Sequence, residues 1–381
     1  MERGVGDGRT PWTLQPARYE PCGALHPMNL AIRQDVPLAP LTTIGIGGPA
    51  RFFVQATSVD EVRAAVSWAL DNGEALFFLG GGSNLLISDE GFKGLVVQVG
   101  LRGVTLESED EYATVKVAAG ERWDDFVAVA VHKGWAGIEC LSGIPGSTGA
   151  TPIQNVGAYG QEVSETIIRV EVLDLRDGRV KSLTKWDCRF GYRSSLFKNF
   201  ERDRYVVLNV TFRLKIGGEA SVRYPELQKV LADHGTGVAD LQGVRDAVLA
   251  IRRRKGMVLD PGDPDTRSDG SFFMNPVVSS SELETFMKKA RAVVAVGESV
   301  PHFPAGDSVK LSAAWLIEHA GFQKGYARGK AGLSTKHTLA VVNRGEAKAA
   351  DVLQLVEEIR GRVRDTFGLE LHPEPNFIGF E

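Results

Sequence analysis

Two glycine-rich stretches without charged side chains are the parts of this 381-residue sequence best suited to carry chemistry. One is GGGSN, residues 80–84, and the other is SGIPGSTGATPIQNVGAYG, residues 142–160. Loops of glycine and small residues leave many backbone N–H groups uncovered, and these dipoles can cradle a pyrophosphate. A glycine triplet alone is most often a tight turn. Two such loops near one predicted sheet favour a nucleotide-binding site instead.

Two common nucleotide-binding motifs do not explain these loops. GIGGPA, residues 45–50, formally matches the dinucleotide fingerprint GxGxxA. That fingerprint requires a helix after the glycines, whereas Pro49 and the following RFFV predict a strand. The sequence contains no Walker A motif. The predicted binding mode is therefore neither Rossmann-like nor P-loop.

The composition indicates an ordinary globular protein. The chain has 44 Lys and Arg against 48 Asp and Glu, a formal net charge of -4 that disfavours nucleic acid as a partner. Its three cysteines form no CxxC pair and its seven histidines show no metal-ligand spacing, so we expect a reduced compartment and no metal. No apolar run approaches the roughly 18 residues that span a bilayer. A cytoplasmic protein without a membrane partner is predicted.

The elements that must position the glycine loops mix helices and strands. Residues 57–73 predict an amphipathic helix that begins with a capping-box pair, Ser58 and Glu61, and ends at Asn72 and Gly73. Further segments have the periodicity of strands, of a hairpin with Asp-Gly at its turn and of a second helix. The predicted strands are 75–79, 95–99, 114–120 and 205–215, the hairpin is 168–184, and the helix is 123–133.

Beyond Gly217 the sequence becomes richer in helices, and the main domain boundary is predicted near 215–225. Four segments show helical periodicity: 243–255, 281–294, 311–321 and 347–368. Residues 1–27 mix Gly, Pro and Arg without any period, and they predict a flexible leader. With about 100–200 residues per domain, the length also fits two or three domains.

Five sequence motifs, one of them within the second glycine-rich loop, resemble those of one enzyme family. They are GIPGSTGATPIQNVGAYG, CRFGYRSSLFK, SDGSFFMNPVV, VKLSAAWLIEHAG and LHPEPNFIG. Their order and spacing resemble the UDP-N-acetylenolpyruvoylglucosamine reductase family over about residues 28–380. The resemblance implies an α+β fold with an FAD-binding domain of vanillyl-alcohol-oxidase type, made of two α+β subdomains, and a smaller α+β substrate-binding domain. The implied divisions are 28–220 for FAD, 221–367 for substrate, and a C-terminal segment, 368–381, that rejoins the first domain.

The resemblance implies FAD as cofactor and NADPH as reductant, with the two glycine loops around the flavin nucleotide. The implied FAD-lining residues are Gly80, Gly82, Ser83, Asn84, Ile144, Pro145, Gly146, Gly149, Ala150, Ile153 and Gly157. A charged side chain at these positions would obstruct the close approach of the cofactor. The expected partners are two small molecules, NADPH and UDP-N-acetylglucosamine enolpyruvate, and a monomer is expected.

The family reaction implies three catalytic residues. Hydride addition to an enolpyruvyl carboxylate adds a second negative charge to an anion, so the site needs a cation or an acid beside it. By resemblance, Arg193 in GYRSS clamps the carboxylate, Ser271 in SDGSFF donates a proton to the α carbon, and Glu374 in HPEP completes the site. Glu374 fits there either as a neutral donor or with its charge offset by Arg193. Without the family resemblance, each of these three residues would be interpreted as an ordinary turn or surface residue.

Four more residues are implied substrate contacts. Lys255 corresponds to a lysine facing the diphosphate, Asn275 and Tyr159 to further contacts, and Tyr224 to a mobile tyrosine that closes over the substrate in one subgroup. A lid is physically sensible because NADPH and the sugar nucleotide must reach the same flavin in turn. The sequence departs from the usual pattern at Met274, where many relatives carry lysine, and in the longer segment 262–267.

Two other functions remain open on the sequence alone. A flavin oxidase of the same fold would pass electrons to oxygen, although the sequence offers no obvious catalytic base for it. A flavin- or nucleotide-binding module without turnover would need no acid and cation pair. Reoxidation of the reduced protein by air or by the enolpyruvyl sugar separates these alternatives.

Overall fold

The computed structural model describes residues 30–233, 240–294 and 298–380. The predicted leader, 1–27, lies outside the described residues. The elements up to residue 216 are β1 (Arg33–Pro37), β2 (Pro49–Ala56), α1 (Val59–Asp71), β3 (Ala75–Leu79), β4 (Leu85–Ile87), β5 (Phe92–Val99), β6 (Val104–Glu109), β7 (Tyr112–Ala118), α2 (Trp123–His132), β8 (Trp135–Ala136), β9 (Gly157–Ala158), β10 (Gln161–Glu162), β11 (Ile167–Asp174), β12 (Arg179–Thr184) and β13 (Tyr205–Ile216).

The second half of the chain contributes the remaining helices and a set of short strands. They are α3 (Pro225–Asp233), α4 (Leu241–Arg254), β14 (Ser268–Ser271), β15 (Val277–Val278), α5 (Ser280–Ala290), β16 (His302–Ala305), β17 (Ser308–Leu311), α6 (Ala313–His319), β18 (Ala327–Arg328), β19 (Ala331–Leu333), β20 (Ala340–Asn343), α7 (Ala349–Phe367) and β21 (Asn376–Ile378). The four helices predicted from periodicity are present, although α5 ends at Ala290, four residues before the predicted end.

The first sheet has the strand order β1-β2-β5-β3, and β2, β5 and β3 run parallel. Because residues 49–56 form strand β2, the rejection of the GxGxxA fingerprint is confirmed. Helix α1 packs on this sheet and begins near the predicted cap. The Ser58 hydroxyl accepts the N–H of Glu61, while the Glu61 carboxylate accepts the N–H of Thr57.

The second sheet is antiparallel, with the order β12-β11-β13-β7-β6. Strands β11 and β12 form the predicted hairpin, and Gly178 at its turn has φ +66°. The central strand β13 buries Leu208, Val210, Phe212 and Leu214, as its alternation predicted. Helix α2 covers this face through Trp123 and Phe126, whose rings lie 5.7 and 5.2 Å from the ring of Phe212.

A separate core forms in the last third of the chain around helix α7. The α7 residues predicted to face inward are all buried, namely Val352, Leu355, Val356, Ile359, Val363 and Phe367. The helix ends at Gly368, whose φ of +74° gives the left-handed cap that glycine favours. The core also includes Phe272 and Phe273, and these two buried rings anchor the segment that follows β14.

Helices α3 and α4 share a small core with the turn at residues 139–141. Leu227 of α3, together with Val248 and Ile251 of α4, packs against Cys140. Helices α3 and α4 therefore rest on the glycine-loop half of the molecule. The division of the chain at residues 220 and 221 stays a prediction.

The last strand returns to the first glycine loop. Strand β21 pairs in parallel with β4, which directly follows residues 80–84. The N–H of Asn376 donates to the carbonyl of Asn84 at 3.0 Å, and the Asn84 amide lies 3.3 Å from the Glu374 carbonyl oxygen. This pairing brings residues 374–378 to the edge of the site.

Candidate active site

One cavity of about 470 Å³ lies between the two glycine-rich loops and the C-terminal segment. Most of the predicted cofactor residues line it. These are Gly80, Gly82, Ser83, Asn84, Ile144, Pro145, Gly149, Ala150, Ile153 and Gly157. Gly146 is absent from the lining and packs behind it, against Gly81 and Ser83.

The glycines bring the two loops into direct backbone contact. A Cβ atom on Gly81 would lie 2.6 Å from the Cα atom of Gly146. Gly82 has φ +64°, and a Cβ atom there would lie 1.9 Å from the carbonyl oxygen of Leu41. The sequence reasoning assigned these glycines to close approach of a cofactor. The structure adds a second reason for glycine at these positions. The two loop backbones touch each other to form the cavity wall, and Cβ atoms would keep them apart.

Arg193 and Glu374 form an ion pair on the cavity wall. The Nε atom of Arg193 lies 3.0 Å from Oε1 of Glu374, and both side chains are mostly buried. The pair is close, but Nε is not aligned to form a hydrogen bond. Nη2 donates to the Gly157 carbonyl at 2.8 Å, which fixes the guanidinium against the second glycine loop. Arg193 also has φ +52°, a strained conformation for a residue with a side chain.

Ser271 lines the same cavity at the end of β14. The segment that follows it runs beside the C-terminal segment, since the N–H of Glu374 donates to the Phe272 carbonyl at 2.8 Å. Phe273 and Pro373 form an antiparallel bridge next to this bond. The backbone thus joins the surroundings of Ser271 to Glu374, and the three predicted catalytic residues border one cavity.

The four predicted substrate contacts lie outside the cavity lining, in two groups. Tyr159 and Tyr224 meet edge to face with ring centroids 5.6 Å apart, and Lys255 Nζ lies 2.5 Å from Oε2 of Glu226. The Asn275 side chain lies elsewhere, where its Oδ1 accepts the N–H of Ala313 at 2.9 Å, at the start of α6.

Burial sets the protonation state of two side chains around the ion pair of Lys255 and Glu226. It raises the pKa of Tyr159 to about 12, so the phenol is neutral at physiological pH. It also lowers the pKa of His337 to about 4, helped by the positive charges of Lys255 and Lys324. His337 is therefore a neutral imidazole beside these lysines, and sequence reasoning did not single it out.

Three cations in the cavity wall were also missed, namely Arg252, Lys198 and Arg202. Arg252 is 8% exposed and lines the cavity, although sequence reasoning gave it no role in the site. Its spacing from Val248 and Val244 is four and eight residues, which places it on the buried face of α4 and was the available signal. Lys198 lines the cavity too, and burial lowers its pKa.

The cavity residues fit a bound flavin nucleotide. Glycines leave the backbone of two walls uncovered, Arg252 and Lys198 provide positive charge, and apolar residues such as Ile144 and Ile153 line the remainder. Among the described residues, Arg252 Nε and Asp269 Oδ2 are buried without hydrogen-bond partners and border this space. Unpaired buried polar atoms of this kind are expected where a ligand supplies the partner.

The fold and the cavity define an FAD-binding oxidoreductase with a mixed α+β structure. Residues 50–184 match the family model described as FAD binding domain, and residues 263–378 match the model described as UDP-N-acetylenolpyruvoylglucosamine reductase, C-terminal domain. The chain belongs to the UDP-N-acetylenolpyruvoylglucosamine reductase family. The predicted fold class, enzyme class and FAD cofactor are thereby confirmed.

Relatives match almost the whole chain. A UDP-N-acetylenolpyruvoylglucosamine reductase of Thermobifida fusca is 49% identical over 92% of this chain and 99% of its own length. The Streptomyces coelicolor protein of the same description is 48% identical over 98% of this chain and 96% of its own length. The crystal structure of UDP-N-acetylenolpyruvylglucosamine reductase from Thermus caldophilus has a TM-score of 0.62 and 25% identity, and covers 92% of this chain and 99% of that one.

In the ranges 30–233, 240–294 and 298–380, no group of three or more His, Cys, Asp or Glu side chains is arranged to hold a metal ion. No helix within those same ranges is long and apolar enough to cross a bilayer.

Proposed function

We propose that the protein uses NADPH to reduce UDP-N-acetylglucosamine enolpyruvate to UDP-N-acetylmuramate, a step in peptidoglycan precursor synthesis. The observation that carries the proposal is the meeting of Arg193, Ser271 and Glu374 on the wall of one cavity. The glycine loops with Arg252 and Lys198 would hold FAD, which would supply the hydride chemistry between NADPH and the methylene carbon of the enolpyruvyl group. Side chains of the protein carry out all other steps.

Arg193 holds the substrate carboxylate and offsets the charge that develops on it. Its Nη groups donate to the carbonyls of Gly157 and Asn155, so the side chain is already oriented before substrate arrives. Each Nη group carries a second hydrogen, which leaves donors for a carboxylate. A preorganised cation of this kind stabilises developing negative charge without reorganisation during the reaction.

Glu374 acts through its pairing with Arg193. The sequence left two alternatives, a neutral acid or an ionised acid offset by the arginine. The 3.0 Å separation of Arg193 Nε and Glu374 Oε1 supports the second alternative. In that arrangement Glu374 limits the rotation of the guanidinium and keeps it against the second glycine loop.

Ser271 delivers the proton to the α carbon after hydride addition. A serine hydroxyl is a weak acid, but the enediolate-like carbon is a strong enough base to take its proton when the geometry is favourable. Gly270, with φ +76°, turns the backbone just before Ser271. The hydroxyl therefore sits at a bend in the cavity wall and not along a straight strand.

The rest of the substrate molecule is bound by the four predicted contacts that lie outside the cavity lining. Lys255 holds the diphosphate, Tyr159 and Asn275 contact the sugar nucleotide, and Tyr224 closes over it. The contact of Tyr159 with Tyr224 supports a joint role for the two rings. Because Lys255 is paired with Glu226, the diphosphate must share or replace that carboxylate.

The proposal is tested with the purified protein in the absence of oxygen. An absorbance spectrum reports bound flavin, and loss of the flavin peak on adding NADPH reports the first half-reaction. Addition of UDP-N-acetylglucosamine enolpyruvate should then restore the oxidised spectrum. Rapid recovery with air and none with the sugar would instead indicate an oxidase. A yellow protein inert to NADPH would indicate a binding module.

A further inference from the structure

Asp269 is an acid in the cavity wall that the proposed mechanism does not use. It lies on β14, two residues before Ser271, and is only 6% exposed. Its side chain borders the same cavity as the glycine loops. Within the described part of the chain, its Oδ2 atom is buried and has no hydrogen-bond partner. A buried polar atom without a partner is costly, so its persistence needs a reason.

The contacts of the other carboxyl oxygen indicate where the proton sits. Oδ1 of Asp269 lies 3.2 Å from Oγ1 of Thr43, and the same Oγ1 lies 2.7 Å from the carbonyl oxygen of Ser268. The threonine hydroxyl has one hydrogen, and the carbonyl can only accept it. With that hydrogen given to the carbonyl, the contact between Thr43 and Asp269 is a hydrogen bond when the carboxyl group supplies a hydrogen from Oδ1. In that neutral form Oδ2 is an acceptor.

The electrostatic surroundings agree with a neutral carboxyl group. Burial raises the pKa of Asp269 to about 8, and no cation forms an ion pair with it among the residues described. The Thr43 hydroxyl and the backbone N–H of Leu85, which directly follows the first glycine loop, lower this pKa but do not offset the effect of burial. The Thr43 N–H donates to the Gly82 carbonyl at 2.9 Å, so this whole cluster is fastened to that loop.

We propose that Oδ2 of Asp269 accepts a hydrogen bond from an N–H or O–H group of bound FAD. The flavin nucleotide offers two sources of that chemistry near a redox site, the N3–H of the ring and the hydroxyls of the ribityl chain. Asp269 would thus be a cofactor-binding residue contributed by the C-terminal half, beside Ser271. The inference rests on FAD binding in this cavity and on no later step of the proposed reaction.

The first test compares two variants in FAD binding to the deflavinated full chain. Asp269→Ala removes the acceptor and should weaken FAD binding about tenfold, as expected for one buried hydrogen bond. Asp269→Asn keeps a carbonyl acceptor and a donor toward Thr43, so its affinity and flavin midpoint potential should stay within about twofold and a few millivolts of wild type. Equal losses of FAD affinity in both variants would overturn this proposal. Unchanged FAD binding by the Ala variant would overturn it as well.

The second test uses FAD analogues and keeps the proposal open to refutation if the Ala variant folds poorly. One analogue is methylated at N3, and the others lack single ribityl hydroxyls. One of them should bind more weakly to wild type, and that penalty should disappear in Asp269→Ala, which identifies the donor. Penalties that persist unchanged in the variant overturn the inference. Failure of wild type to bind FAD at all would refute the proposed function instead.

Discussion

The guanidinium of Arg193 and the carboxylate of Glu374 lie 3.0 Å apart, although Arg193 comes from the middle of the chain and Glu374 from its C-terminal segment. Arg193 is positioned by its own strained turn and by the Gly157 carbonyl. Glu374 is positioned by its N–H bond to Phe272 and by strand β21. The ion pair therefore joins the second glycine loop to the segment that carries Ser271.

Replacing Arg193 should mainly damage the reduction of the sugar. Arg193→Ala removes the cation and leaves Glu374 unpaired, and we expect the reoxidation of reduced flavin by the sugar to slow by about 10²-fold or more. Arg193→Lys keeps a point charge without the planar fork, so it should recover part of the rate. Stopped-flow absorbance measures both half-reactions. The exposed Arg179→Ala is the matched control, and equal slowing of flavin reduction by NADPH would contradict the assigned role.

Ser271→Ala should separate the two half-reactions. Removal of the proposed acid is expected to slow sugar reduction by about 10²–10⁴-fold, while flavin reduction by NADPH stays within about twofold of wild type. Single-turnover kinetics measures each step. Ser281→Ala, on the exposed face of α5, controls for loss of a hydroxyl elsewhere. A parallel loss of both steps would indicate that Ser271 serves structure and not proton transfer.

Much of this arrangement was predictable from residue patterns, and the reasons are local. Helix α7 was predicted by its apolar period, and strand β2 by Pro49 and the residues after it. The site residues were predicted by the family resemblance, and the structure places Arg193, Ser271 and Glu374 on one cavity. Their roles stay predictions.

Other features had no local signal. Asp269 reads as an ordinary turn acid beside Gly270, because its burial depends on the fold of Thr43 and Leu85 from far away in the sequence. The contact between Gly81 and Gly146 is also nonlocal, so the sequence could not distinguish it from an approach to the cofactor. Patterns within one segment predict that segment's structure, but not which distant backbone will touch it.

Gly81→Ala should loosen the cofactor site. The added methyl group would meet the Gly146 backbone at 2.6 Å, and we expect a loss of about 1–3 kcal/mol in stability together with weaker FAD retention. Gly361→Ala is a matched control with open space around its Cβ position in helix α7, and it should stabilise the protein by about 0.5–1 kcal/mol. Thermal unfolding and flavin content measure both. Full flavin retention by Gly81→Ala would argue against this contact.

Glu226→Gln should strengthen binding of the sugar nucleotide. Its carboxylate neutralises Lys255 at 2.5 Å and would repel a diphosphate at the same position. We expect the KM for the sugar to fall by several-fold at low ionic strength and the difference to shrink as salt screens the charges. Glu346→Gln, whose carboxylate pairs with Lys330, serves as a surface control. An increased KM would show that Glu226 positions Lys255 instead of competing for it.

Asp174 should make stability sensitive to acid. It is fully buried, with Lys181 Nζ at 2.6 Å and Arg204 Nη2 at 2.7 Å, and these hydrogen bonds hold its pKa below the usual range despite burial. A lowered pKa means that the stabilisation is present above about pH 4 and is lost as pH falls through the lowered value. Asp174→Asn should therefore lower the unfolding free energy by about 2 kcal/mol at pH 7.

Urea denaturation at several pH values checks this expectation. The difference between wild type and Asp174→Asn should narrow steadily as the solution is acidified below pH 4. Asp177→Asn, altering a partly exposed partner of the same Lys181, should change stability far less than Asp174→Asn does. A constant difference between the two proteins across the acid range would rule out the charge as the cause.

The parallel pairing of β21 with β4 has a consequence for how the enzyme matures in the cell. Residues 85–87 leave the ribosome long before residues 376–378, yet the wall that carries Glu374 exists only after the later segment has docked. During synthesis, one side of the first glycine loop therefore stays exposed to water until β21 has paired with β4. We expect the nascent chain to gain tight flavin retention only at the end of translation, so that redox chemistry begins with a finished protein.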